Sequence, residues 1–209
     1  MQAPDVSLGV ALYDYLPNIV FVIGIYFVIS SIRRDINKFH YVLILIASVF
    51  VFLAGMSKAT WKLIIAMADT DIRILGDIQF PLMGIGFFII FYVLLMVLLK
   101  KGGGESSLNA IGIASSKKIF LPMMILGGLG TTICLILLSL RRKATAAVIF
   151  FALDVLMTTS MGYVGSKFNL TSNYAVFLEQ TLNVSSRIIW AIGCYFLWKK
   201  SKPINASTS

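Results

Sequence analysis

Three ionisable residues lie inside stretches of the chain that are otherwise apolar, and their types and spacing could do chemistry. Asp154 sits within residues 144–166, and Glu179 and Arg187 within residues 177–198. A charged side chain at the centre of a lipid-spanning helix costs roughly 2.5–3.5 kcal/mol on insertion scales, so it turns toward a partner or a cavity. Asp154 and Arg187 each fall near the middle of their stretch. Consecutive spanning helices run antiparallel, so the two are expected at one depth. An ion pair there would satisfy both charges and fasten two helices. A polar centre would instead bind a solute or an ion. Glu179, Asn183 and Arg187 recur at spacing four, with Ser186 and Trp190 beside them, which puts the set on one helix face. Thr158, one turn after Asp154, extends that stripe to the neighbouring helix. A stripe from the membrane edge to its centre could line a hydrated path, or it could serve hydrogen bonding between helices.

A second cluster is expected at a helix mouth. Lys58 and Lys62 are one turn apart with Trp61 between them, and Asp69, Asp71, Asp77 and Gln79 follow shortly after. Asp14 should share that side. Opposite charges at one mouth could receive a zwitterionic or anionic solute, or they could be lysines that extend toward water and are neutralised by loop carboxylates. No metal site is expected, because His40 is the single histidine and no paired cysteines accompany it. No cofactor is implied either. The chain contains no HExxH, GxSxG, Walker or CxxC motif and no Gly-rich dinucleotide fingerprint, so the expectation is a protein that is not an enzyme.

The elements that must hold these residues follow from composition. Of 209 residues, 58% are hydrophobic and only 13% charged, with a mean hydropathy of +0.90. Soluble domains carry about 25% charge because they must cover a surface facing water. Lipid is therefore the main solvent, and a lipid bilayer the first partner. The formal net charge of +9 does not point to nucleic acid, since the Lys and Arg residues cluster at the edges of apolar runs, where they hold helix ends in the headgroup layer. Cys134 and Cys194 lie inside apolar runs and read as packing residues.

Six segments are long and apolar enough to cross a bilayer, which takes about 20 residues of helix. They are 15–32, 39–61, 78–99, 119–140, 144–166 and 177–198. None alternates as a barrel strand would. The expected fold is all-α: a polytopic transmembrane bundle of about six helices in one integral membrane domain over 1–209. Residues 1–32 carry no Lys or Arg, so the first run reads as a retained helix rather than a signal peptide. The tail after Lys202 is expected to be disordered.

Comparison of the halves suggests two three-helix repeats, 12–101 and 119–200, joined by a flexible linker over 102–116. Leu16-Pro17 opens one half and Leu121-Pro122 the other, and both close on a Lys-Lys pair. Three helices per repeat would set the halves in opposite orientations. Lys and Arg then divide almost evenly between the two sides, and Arg33-Arg34 place both ends of the chain outside. The triple-helix arrangement resembles the small sugar transporters built from paired three-helix bundles. Those carry a Pro-Gln dipeptide, absent here, and an extra crossing for which 102–116 is too polar, so the likeness stops at architecture.

The functional expectation is a small multi-pass protein of the cell (inner) membrane. One reading is a transporter or channel for a small solute or ion, with Asp154, Arg187, Glu179, Asn183 and Thr158 along its path and Lys58, Trp61, Lys62, Asp77 and Gln79 at its mouth. The other is a non-catalytic membrane subunit, sensor or scaffold that binds a partner membrane protein or a second copy of itself.

Overall fold

The computed structural model describes residues 7–99, 117–167 and 173–202. These residues form eight helices: α1 (Leu8–Tyr13), α2 (Leu16–Ile32), α3 (Lys38–Ala68), α4 (Arg73–Asp77), α5 (Gln79–Leu99), α6 (Lys117–Arg141), α7 (Thr145–Lys167) and α8 (Asn173–Ser201). Six are long and two are short, and among the described residues there is no strand. The all-α bundle expected from composition is what forms. Four stretches are long and apolar enough to cross a membrane: 8–32, 38–68, 73–99 and 119–141. The chain is an integral membrane protein.

Large apolar side chains lie on both sides of the helices. Phe21, Val28, Ile90, Leu135, Phe151 and Leu197 fill the core, while Val49, Leu126, Ile133, Leu140 and Ile149 face outward. Helices apolar all round need an apolar solvent on the outside. Lipid offers no hydrophobic drive for helix association, so the interfaces depend on close packing. Gly127 of α6 lies against the α5 backbone at Phe87 and Phe88, where a Cβ would come within 2.7 Å. Gly84, Gly86 and Gly130 pack as closely, whereas Gly128 faces open space.

Local signals set the helix ends. Asn37 caps α3, its side chain accepting from the His40 amide at 2.8 Å. Helix α3 runs seven residues beyond Trp61, to Ala68, and stops at Asp69, which takes the left-handed conformation. Aspartate tolerates that region better than most residues. Lys143 is also left-handed, and the Ala144 amide bonds back to the Ser139 carbonyl at 2.8 Å, a closure that turns α6 sharply into α7. Helix α6 starts two residues before Ile119, so Pro122 falls within its first turns rather than at its opening.

The helices have two ends, here called A and B. Tyr13, Lys62, Gly76 and Phe177 meet at A. Ser31, Asp35, Leu98, Arg141, Arg142 and Ser201 meet at B. Gly84 abuts Phe120, Gly127 abuts Phe87, and Arg141 donates to the Leu98 carbonyl at 2.5 Å, so α5 and α6 run parallel. Phe21 stacks on Trp190 and Phe27 packs on Trp198, so α2 and α8 also run parallel. The halves therefore share one orientation, which corrects the expectation that they oppose each other. Leu8 lies at the A end and Ser201 at the B end. The linker expected over 102–116 lies outside the described residues. The chain leaves α5 at B and re-enters α6 at A, two points separated by the length of a 21-residue helix, about 31 Å at 1.5 Å per residue.

Neighbour relations are the same in both halves. Helix α2 packs on α8 as α6 packs on α5, α3 on α5 as α7 on α8, and α2 on α3 as α6 on α7. Phe21 and Arg187 both reach Phe87 across the interior.

Candidate functional site

Asp154 lies in the third turn of α7, a helix whose other core-facing residues, Ala147 and Phe151, are apolar. Its carboxylate accepts a hydrogen bond from Ser186 Oγ of α8 at 2.5 Å. Ser186 Oγ is in turn 3.1 Å from Thr158 Oγ1. Thr158, Ser186 and Asp154 thus form one chain of polar atoms across the α7–α8 interface. Helical geometry produces this, because Asp154 and Thr158 are one turn apart on the face that meets α8.

Arg187 takes a different direction from the one expected. Its guanidinium stands 5.8 Å from the centre of the Phe87 ring of α5, within reach of a cation–π contact. Asp154 and Arg187 are close enough for their charges to interact. Lys58–Glu179, Lys62–Asp14, Arg73–Asp71 and Arg142–Asp35 each close to within 4.0 Å, whereas Asp154 and Arg187 do not. Asp154 and Arg187 are neighbours held apart.

Glu179 joins the stripe on α8 to the cluster at the A end. Lys58 Nζ lies 3.4 Å from Glu179 Oε1. One turn further along α3, Lys62 Nζ lies 3.0 Å from Asp14 Oδ2, and both side chains are about 95% buried. Asp14 is delivered by α1, a six-residue helix capped by Ser7, whose Val10 and Ala11 pack inward. Nearby, Tyr15 and Thr60 share a hydroxyl hydrogen bond at 3.0 Å, and Asn18 donates to the Asp14 carbonyl at 3.3 Å. Two acids and two bases thus alternate between α1, α3 and α8. Gln180, next to Glu179, is fully buried, and neither atom of its amide has a hydrogen-bond partner among the described residues. Buried amides are nearly always paired with protein or water.

Trp61, Asp77 and Gln79 do not join this cluster. Trp61 Nε1 donates to Asp71 at 2.9 Å, and its ring packs over Gly76. Arg73 binds the same carboxylate at 2.9 Å. The Trp61 hydrogen bond, followed by the Arg73 contact, holds the Asp71 carboxyl below its usual range. Gln79 donates to the Gly76 carbonyl at 2.8 Å, and Asp77 is exposed. The Trp61 contacts with Asp71 and Gly76 fix α4 against the end of α3.

No known protein family, curated protein or solved structure matches this chain. The polar seam must be interpreted from its own geometry.

That geometry adds residues the sequence reading missed. Gln180 and the Tyr15–Thr60 pair are hidden because a single Gln or Thr in an apolar run carries no period of its own. Ser7, in contrast, carried a readable signal, since serine before an apolar turn is a common helix cap. At the B end Arg142 binds the Ser31 carbonyl at 2.9 Å, Asp35 at 2.5 Å and the Ser201 hydroxyl. Burial lowers its guanidinium pKa and Asp35 opposes that shift. It ties three helix ends together and stands far from the seam.

Proposed function

We propose that this chain is a multi-pass protein of the cell (inner) membrane that moves a small solute or ion along the seam between α7 and α8, entering at the A end. On this reading all six long helices cross the bilayer, in two parallel three-helix repeats, and the protein is not an enzyme. The observation that carries the proposal is the open Asp154–Arg187 pair. A pair whose role is to fasten helices gains most by closing, since attraction in a low-dielectric interior rises as the distance falls. Here the carboxylate is held by a hydroxyl and the guanidinium by an aromatic face. Both charges keep capacity for a third, polar occupant. The Gln180 amide, without a hydrogen-bond partner among the described residues, supports the same reading, since an occupant or water in the seam would supply its hydrogen bonds.

The second reading is a non-catalytic subunit or scaffold that binds a partner membrane protein or another copy of itself. The closed Lys58–Glu179 and Lys62–Asp14 pairs favour it, because they tie α1, α3 and α8 together at the A end.

The two differ in whether the seam is wet. In a background with Cys134 and Cys194 replaced by alanine, Asn183→Cys is expected to react with a membrane-impermeant thiosulfonate reagent, whereas outward-facing Ile188→Cys is not. Reaction at Asn183→Cys supports a hydrated path. A cysteine there as inert as the one at 188 means a dry seam, and the transport reading fails.

A further inference from the structure

Between α2 and α3 runs an outward-facing groove of about 490 Å³. It extends from Phe21 and Phe52 to Arg33 and Tyr41 at the B end. The span of α2 from Phe21 to Arg33 is about 18 Å at 1.5 Å per residue. One leaflet contributes about half of a hydrocarbon core roughly 30 Å thick. The groove therefore matches the B-side leaflet in height. Its walls are apolar: Ile25 and Ile29 from α2, Leu45 and Val49 from α3. Ser48 in its wall donates to the Ile44 carbonyl at 2.6 Å and has no further donor to offer, and Tyr26, Ser30 and Tyr41 supply the groove's other hydroxyls.

The B end of the groove has the opposite character. The Arg33 guanidinium stacks 3.7 Å from the centre of the Tyr41 ring, which fixes its plane and leaves its N–H edge available. No acceptor among the described residues engages it. Asp35, two residues on, is bound by Arg142. Arg34 and Lys38 add positive charge on the same turn. A groove one leaflet deep, apolar along its length and cationic at the headgroup level, has the shape and polarity of a single lipid.

We propose that the α2–α3 groove binds one anionic phospholipid of the B-side leaflet, with an acyl chain along Ile25, Ile29, Leu45 and Val49 and its phosphate on Arg33. The site is separate from the α7–α8 seam and does not depend on the transport reading.

The test is native mass spectrometry of the detergent-purified protein, offered equal amounts of phosphatidylglycerol and phosphatidylcholine with identical chains. The wild type is expected to retain one phosphatidylglycerol in preference to phosphatidylcholine by about fivefold, the effect of one well-placed basic group near an anionic headgroup. Arg33→Gln removes the preference while lipid of either kind still binds, and Arg33→Lys keeps most of it. Val49→Trp fills the groove and loses the retained lipid. Lys202→Gln, at the same end but away from the groove, changes nothing. Arg33 and Val49 are exposed, so each variant is expected to keep the wild-type melting temperature. Equal retention of the two lipids by the wild type overturns the proposal, as does a preference that survives Arg33→Gln. Full lipid retention by Val49→Trp overturns it too. So does a dimer mass without lipid that Val49→Trp abolishes, which would assign the groove to a second copy of this chain.

Discussion

Asp154 and Arg187 decide between a seam that fastens helices and one that admits an occupant, and the difference can be measured. Removing one partner of a closed, buried ion pair costs about 3–5 kcal/mol, because the other charge is left alone. Polar contacts between membrane helices average only about 0.6 kcal/mol. With the carboxylate held by Ser186 and the guanidinium over Phe87, the direct coupling between the two charges should be small. Asp154→Asn, Arg187→Gln and the double variant form a thermodynamic cycle. Unfolding in mixed micelles is expected to give a coupling below about 1 kcal/mol. A coupling of about 3 kcal/mol or more, with the double variant recovering the stability lost in the singles, would mean that the pair closes in the native protein. The residue types and their shared depth were legible from spacing alone. Their separation was not, because it depends on a serine and a phenylalanine whose positions relative to the charges are set by tertiary packing.

At the scale of elements, the α2–α8 interface rests on a ring placed against backbone. A Cβ on Gly24 would lie 2.2 Å from Cζ3 of Trp190. The ring cannot retreat freely, because Phe21 stacks on it at 5.8 Å with only 10° between the planes. Gly24→Ala is therefore expected to destabilise the protein by about 1–3 kcal/mol, the usual penalty for overpacking a core. Trp190→Leu in the Gly24→Ala background should recover part of the loss, although Trp190→Leu alone is destabilising. If Gly24→Ala proves as stable as the wild type, the two helices are not in close contact. Six of the helices were legible from length and apolarity, and several of their ends from the basic residues that flank them. Helix α1 was not, since six residues are too few to establish a period. Nor was the continuation of α3 to Ala68, because Lys58 and Lys62 resemble a helix flank until their partners Glu179 and Asp14 are known to lie in the interior.

For the whole molecule, the direction of the second half matters most. Hydrophobic periodicity is the same read in either direction, so a sequence specifies that a helix crosses but not which way. The assumption that 102–116 turns back on one side set the halves in opposition. The parallel contacts of α5 with α6 and of α2 with α8 reverse that arrangement. They also change the distribution of charge. Arg33, Arg34, Lys38, Arg141, Arg142, Lys143, Lys199, Lys200 and Lys202 gather at the B end. The A end carries fewer among the described residues: Lys58, Lys62 and Arg73, with Lys117 and Lys118 opening α6 and Lys167 closing α7 there. An excess of Lys and Arg marks the cytoplasmic face, so B is expected to face the cytoplasm and A the exterior. Single cysteines placed at Ser7 and Lys202, in the background lacking Cys134 and Cys194, should therefore label from opposite sides. An impermeant maleimide added to intact cells is expected to reach Ser7→Cys at once and Lys202→Cys only after permeabilisation. Labelling of both in intact cells, or of neither, would place the two positions on one side and restore the opposed halves. Labelling of Lys202→Cys alone would keep the parallel arrangement and invert it in the membrane, leaving the basic end outside.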